Sequence, residues 1–202
     1  MIIQTFTPGI FSANCYLIYD EKSKTGCLID PGVYDAKISD FILSKDISLK
    51  YIILTHGHYD HILGANTFKE KTKAQIAAHE LEAEYLEDPK KSFTKGETIL
   101  ADILFKENDV LTFGDISLRV LHTPGHTKGS CCIICDDEKV IFSGDTLFQA
   151  GIGRYDLYGG NYSDLKKSLQ KIKSIGGNYK IYPGHGDYTT LDYEKNVNPY
   201  LN

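Results

Sequence analysis

The sequence predicts an α/β fold in which two similar sheet-and-helix halves face each other. Three observations carry that expectation. Tyr51-Ile52-Ile53-Leu54 is a fully apolar run, preceded by apolar residues at helical spacing (Tyr34, Ile38, Phe41, Ile42), which together read as a βαβ unit with its strand covered on both faces. The second half repeats the theme, with short strand-like runs followed by one amphipathic stretch. Finally, four apolar runs each end in a metal-ligating residue type, so chemistry gathers at strand exits, where α/β sheets place their sites.

Taken in order, residues 2–6, 15–19 and 26–30 read as three short strands, with turns at Pro8-Gly9 and across Glu21 to Thr25. Asp30-Pro31-Gly32 closes the third, and the Tyr34 to Ile42 helix leads into the apolar strand. A helix begins over Ile62 to Phe68, and Gln75 to Ala78 is another short strand. Glu80 to Glu87 reads as an acidic helix, and Asp88 to Glu97 as a charged, mobile connection around Pro89 and Gly96. Strands near 103–106, 110–112, 116–121, 131–135 and 139–143 are separated by turns at Asn108-Asp109, Phe113-Gly114-Asp115 and Asp136-Asp137-Glu138, which suggests antiparallel pairing. Leu165, Leu169 and Ile172 line one face of a helix that Ser163 is placed to cap and Gly176-Gly177 to stop. Lys180 to Tyr182 is a last short strand. With no linker or low-complexity segment, one domain over residues 1–202 is expected.

Composition narrows the class. A chain of 202 residues buries roughly 70% of its unfolded surface and needs no disulfides to stay folded. Its 42% hydrophobic and 24% charged residues are those of a soluble globular protein, and no apolar run approaches the ~20 residues of a membrane helix. The start, Met1 to Phe6, lacks a basic segment and a cleavage site, so it reads as a strand and the expected location is cytoplasmic. Five cysteines, an odd number, make no disulfide framework. Cys131, Cys132 and Cys135 could form a metal knuckle, but their apolar setting favours buried strand thiols. A net charge of −5 argues against nucleic acid as a partner.

The densest chemistry is Thr55-His56-Gly57-His58-Tyr59-Asp60-His61, four ligand types in six residues directly after the apolar strand. In extended backbone, alternate side chains share a side, so His56, His58 and Asp60 are expected to converge while His61 points elsewhere. The other ligand-type exits are Thr123-Pro124-Gly125-His126, Ser143-Gly144-Asp145 and Pro183-Gly184-His185. Counting ligand types assigns His56, His58 and His126 to one ion and Asp60, His61 and His185 to a second, with Asp145 placed to bridge. Imidazole and carboxylate without thiolate suit two divalent ions, zinc first, with iron or manganese also fitting. The loaded site is positive overall, which favours an anionic or polarised substrate. Asp30, at the neighbouring strand end, either accepts the free ring N–H of a ligand histidine or makes a turn before its proline. His79 and His122 read as packed or capping residues. No rival nucleophile is evident, since Ser130 and Ser143 lie in no Gly-x-Ser-x-Gly elbow. Metal-assisted hydrolysis is the chemistry implied.

Thr55 to His61, Thr123-Pro124-Gly125-His126-Thr127, Gly144-Asp145-Thr146-Leu147-Phe148 and Pro183-Gly184-His185-Gly186 resemble the metallo-β-lactamase superfamily. Within it the chain most resembles the glyoxalase II branch, the hydroxyacylglutathione hydrolases, with similarity running from Asn14-Cys15-Tyr16 to Asn198-Pro199-Tyr200. The resemblance implies a four-layer αββα sandwich, a dinuclear zinc site on the same seven positions, and a small anionic thioester as substrate. Asp60 and Asp145 are then the catalytic carboxylates, Asp60 orienting the nucleophile. Gly151-Ile152-Gly153-Arg154 matches the family element whose basic residue holds glutathione, which makes Arg154 the expected carboxylate anchor. The alternative for Arg154 is an ion pair with Asp156 or another acid.

The following Tyr155-Asp156-Leu157-Tyr158-Gly159-Gly160 resembles the short glyoxalase II-like proteins, with Tyr158 as a second candidate substrate contact. The aromatic that the family places two residues after the last histidine is absent, since Asp187 stands there and Tyr188 follows. Only 17 residues follow His185, so no C-terminal helical glutathione-binding domain is expected. Other readings are a mononuclear iron persulfide dioxygenase, a metallo-hydrolase of lactones, β-lactams or phosphodiesters, and metals that only hold the fold. A monomer and a homodimer are equally compatible with the sequence.

Overall fold

The computed structural model describes residues 1–10, 12–94 and 96–201. Lys95, in the expected charged connection, and Asn202, at the end of the expected domain, lie outside the described residues, as does Phe11. Two six-stranded sheets are formed among the described residues. The first uses β1 (Ile2–Phe6), β2 (Cys15–Tyr19), β3 (Thr25–Ile29), β4 (Ser48–Leu54), β5 (Gln75–His79) and β6 (Ile103–Phe105) in that spatial order. Its first three strands are antiparallel, and β3 to β6 run parallel. Parallel neighbours need crossovers, and α1 (Ala36–Ser44) and α3 (Ala65–Thr72) supply them, with α2 (Tyr59–Ile62) a single turn before α3.

Beyond β5, α4 (Ala83–Glu87) and α5 (Pro89–Ser92) lead to β6. The second sheet has β7 (Val110–Phe113), β8 (Ile116–His122), β9 (Cys131–Cys135), β10 (Val140–Gly144), β13 (Lys180–Pro183) and β14 (Thr189–Thr190) in the order β14-β13-β10-β9-β8-β7. Only β10 and β13 pair in parallel in that sheet, joined through α6 (Tyr162–Lys173). A small hairpin of β11 (Leu147–Phe148) and β12 (Gly151–Ile152) follows β10, and α7 (Leu191–Val197) follows β14.

Strand alternation turns these pieces into layers. Neighbouring residues such as Ile52 and Ile53, or Ile141 and Phe142, point to opposite faces, and both faces are apolar. Ile18, Ile53, Leu118, Val120, Ile133 and Phe142 fill the space between the sheets. Leu17, Leu28, Ile52 and Leu54 pack outward on Ile38, Ile42 and Phe68, while Ile134, Ile141 and Ile181 pack on Leu165, Leu169 and Leu191. The result is the helix–sheet–sheet–helix sandwich that the motifs implied. All five cysteines are free and buried in these strands, as their apolar setting suggested.

Several local expectations change. Asn161, not Ser163, caps α6, its side chain accepting from the Asp164 N–H at 3.1 Å. The segment after Glu87 is not a bare connection: Asp88 accepts from the Lys90 N–H, Pro89 sits at the first helical position, and α5 results. No described helix is long and apolar enough to cross a membrane.

Candidate metal centre

Each candidate ligand leaves the end of an ordered strand or the first turn beyond it. His56 and His58 follow β4, and Asp60 and His61 lie in α2. His126 is in the β8–β9 turn, Asp145 directly follows β10, and His185 follows β13. The expected alternation therefore holds only through His58. The helical turn beyond it swings Asp60 away from His56 and His58 and toward His61 and His185.

The structure brings all seven side chains to one rim. His56, His58 and His126 offer ligand atoms that all lie within 4.8 Å of one another, and so do Asp60, His61 and His185. Asp30, His56 and His61 also satisfy that distance. Asp30, however, is committed elsewhere: it accepts from the Thr55 N–H at 2.8 Å and from Thr55 Oγ1 at 2.6 Å, and it faces His61 Nδ1 at 3.1 Å. Asp145 stands between the two triads, with Oδ1 3.5 Å from His61 Nε2 and Oδ2 3.5 Å from His126 Nε2 and 3.7 Å from His185 Nε2. Close approach depends on Gly184, where a Cβ would lie 2.1 Å from Asp145 Oδ1.

These atoms suit cations better than each other. His58 Nδ1 faces His126 Nε2 at 2.8 Å, and His61 Nε2 faces His185 Nε2 at 3.2 Å; two ring nitrogens so placed can share a proton or a cation but cannot both be lone pairs. His56 Nε2 and Asp145 Oδ1 are buried with no hydrogen-bond partner, an arrangement disfavoured unless something charged satisfies them. The outer ring nitrogens are already held: His126 Nδ1 by the Arg154 carbonyl at 2.7 Å, His61 Nδ1 by Asp30, and His56 Nδ1 beside Thr55 Oγ1 at 3.1 Å. Such partners fix ring orientation and leave the other nitrogen for a metal. The residues present thus fit a pair of metal ions.

Burial and charge divide the histidines. Desolvation pushes His56 well below its ordinary range, with the neighbouring imidazoles adding to it, lowers His58 to about 3, and lowers His126 as well. These three stay neutral at pH 7, as ligation requires. Burial also acts on His61, but Asp145, Asp30 and Asp60 outweigh it and raise it to about 9. Asp60 is held down at about 2: burial opposes this, but the hydrogen bond from His185 and the charge of His61 prevail.

The centre floors a cleft of about 360 Å³ walled by Phe93, Phe148 and Leu157, with Arg154 at its edge. Arg154 is paired bidentately with Asp156, Nε to Oδ1 at 2.8 Å and Nη2 to Oδ2 at 3.0 Å, which is the ion-pair alternative left open by the sequence. Tyr158 does not line the cleft. Its ring lies between Lys91 Nζ (5.2 Å) and Lys128 Nζ (5.7 Å), its hydroxyl donates to Glu84, and its carbonyl accepts from the Tyr85 hydroxyl. Leu157 takes the lining position because the turn after Arg154 presents it inward. Tyr188 packs near Tyr182 and Lys180 beside a separate polar cleft. His79 and His122 stack on each other, with centroids 4.1 Å apart, outside the cleft.

Phe93 and Phe148 were not singled out as cleft walls by the sequence. Phe148 sits inside the Gly144 to Phe148 motif and was findable there. Phe93 ends α5 in the left-handed region (φ 61°), a conformation that nothing in its charged neighbourhood announces.

Comparison with known proteins agrees with this geometry. A family model described as the metallo-beta-lactamase superfamily matches residues 8–185. The hydroxyacylglutathione hydrolase GloC of Haemophilus influenzae is 35% identical over 210 residues, covering 100% of this chain and 99% of that protein. The crystal structure of BLEG-1 B3 metallo-beta-lactamase superposes with a TM-score of 0.92 at 32% identity and 99% coverage of both chains. TTHA1623, solved in a di-iron-bound form, gives a TM-score of 0.87 at 30% identity, with 98% of this chain and 100% of that one covered.

Proposed function

We propose, since the chain belongs to the metallo-beta-lactamase superfamily, that it is a metal-dependent hydrolase of a small thioester, an S-acyl thiol of the hydroxyacylglutathione kind. The observation that carries the reading is the pair of triads meeting at Asp145, with His56 Nε2 and Asp145 Oδ1 buried and unpartnered. In this proposal His56, His58 and His126 hold one divalent ion, Asp60, His61 and His185 hold the other, and Asp145 serves both. Zinc is the metal proposed, with iron the rival that the di-iron relative keeps in view. When bound, such ions would lower the pKa of a water toward ~7, supplying a nucleophile at neutral pH, and would act as a Lewis acid on an acyl oxygen.

The chain's own residues do the remainder. Asp30 and the Arg154 carbonyl keep the His61 and His126 rings turned to the site. Asp60, with Oδ2 3.3 Å from His185 Nε2, orients the attacking water. Phe93, Phe148 and Leu157 shield the acyl carbon from bulk solvent, and Arg154 at the cleft edge attracts a carboxylate on the thiol half. A thiolate leaves readily, so no general acid is required. The proposal also takes residues 1–202 as a single domain. A cytoplasmic location belongs with it and fits five cysteines kept as thiols.

The test is hydrolysis of S-lactoylglutathione and a simple acetyl thioester by zinc-loaded and iron-loaded protein, against free metal. Turnover of either thioester well above the metal control is expected. Inactivity on thioesters with rapid hydrolysis of nitrocefin would transfer the substrate to the β-lactams, and inactivity on the whole panel would remove the hydrolase reading.

A further inference from the structure

Glu82 is fully buried, yet it belongs to neither triad and to no wall of the cleft. It ends the short 3-10 turn Glu80–Glu82 after β5, in a stretch whose acidic character suggests a solvated face. Instead its carboxylate points inward. Oε1 accepts from Thr127 Oγ1 at 2.6 Å and from the Gly129 N–H at 2.7 Å. Thr127 is tied in turn to Ser130, its N–H donating to Ser130 Oγ at 3.0 Å.

Glu82 also packs against the other histidine loop. A Cβ on Gly57 would lie 2.8 Å from Glu82 Oε2, and a Cβ on Gly129 would lie 2.7 Å from the Glu82 nitrogen, so only glycine lets the backbone come this close at either place. One side chain therefore touches His56-Gly57-His58 on one side and His126-Thr127-Lys128-Gly129 on the other. Those two loops carry the three histidines of the first triad. Core packing does not account for an acid here: an apolar residue of equal size would fill the volume but leave the Gly129 N–H buried and unpaired.

We propose that Glu82 is a positioning residue that fixes the spacing between these two loops and so the opposition of His58 Nδ1 and His126 Nε2. The proposal rests on the reading of the rim as a metal centre. Glu82 acts as an acceptor and a wedge, and it touches neither substrate nor ion.

The test uses Glu82→Leu, which keeps bulk but removes the acceptor, and Glu82→Gln, which keeps both bulk and an acceptor oxygen. Metal-free protein is titrated with cobalt(II), following affinity by calorimetry and ligand geometry by the visible spectrum, with far-UV dichroism and the melting temperature recorded before metal is added. Glu82→Leu is expected to bind the tighter cobalt about 10- to 100-fold more weakly with an altered spectrum, and Glu82→Gln to stay within about threefold of wild type. A purely structural role would lower the metal-free melting temperature without moving the spectrum, and that result overturns the proposal. So does a Glu82→Leu protein that binds cobalt as wild type does, or a Gln variant as impaired as the Leu one. If Glu82→Leu does not fold, Thr127→Val, which removes one of the two bonds to Oε1, should weaken binding about three- to tenfold. An unchanged affinity in that variant overturns the proposal equally. Wild-type protein that binds no cobalt would overturn the metal-centre reading and the Glu82 role together, whereas wild-type binding with unaffected variants overturns the role alone.

Discussion

Arg154 brings its positive charge to the cleft edge already shared with Asp156, and both side chains are more than half exposed. Exposed pairs of this kind contribute little, so a substrate carboxylate competes with Asp156 at modest cost. Asp156→Asn should therefore lower KM for an anionic thioester by about two- to fivefold and leave kcat unchanged, with little effect on an uncharged thioester. Steady-state kinetics on the two substrates checks this, and equal effects on both would show that Asp156 matters for the loop and not for charge. At this scale the sequence was informative where residue type alone decides, as in picking out seven ligand-type side chains that the fold then brings to one rim. It was silent where a rotamer or a turn decides. Arg154 had two readings until its fork was seen on Asp156, and Tyr158 was the expected contact until the turn sent it outward and brought Leu157 in.

Elements place those residues, and some elements are joined by contacts that titrate. His79 ends β5 in the first sheet and His122 ends β8 in the second, so their stacked rings link the two sheets. His79 Nδ1 accepts from the Leu81 N–H, and burial, together with His122, lowers His79 from 6.5 to about 4, against the smaller opposing pull of Glu80, Glu107 and Asp109. Between those values the unfolded chain binds a proton that the folded chain refuses. The stability contributed by neutral His79 is thus present above pH 6.5 and lost as pH falls toward about 4. His79→Gln should flatten the decline of the urea midpoint over that window relative to wild type; parallel curves would contradict the assignment. The strands and α1, α3 and α6 were legible because each repeats an apolar period over several residues. The β11–β12 hairpin, β14 and α7 were not. They are short, and α7 depends on contacts that local sequence does not display, such as Glu194 accepting from the Ala150 N–H and Thr189 Oγ1.

At the scale of the whole molecule, two sheets packed face to face hold four strand exits at one rim, and the three apolar layers fix the distance between loops far apart in sequence. Asn14 shows how tightly the halves are joined there: from the first half, its N–H donates to the Gly184 carbonyl and its side chain to the carbonyls of Pro183 and Gly186. The layered architecture was expected from strands apolar on both faces and from the family resemblance. Which loop faces which was not, because the spacing of β4, β8, β10 and β13 exits is set by sheet order and register. The most direct measurement is elemental analysis of wild-type and Asp145→Asn protein, each saturated with zinc and freed of loose metal by gel filtration, with far-UV dichroism on the same samples. Two ions per wild-type chain are expected, and about one or fewer in the variant with its dichroism unchanged. A wild-type protein that is fully folded but retains no metal, or a variant that keeps the full complement, would contradict the account.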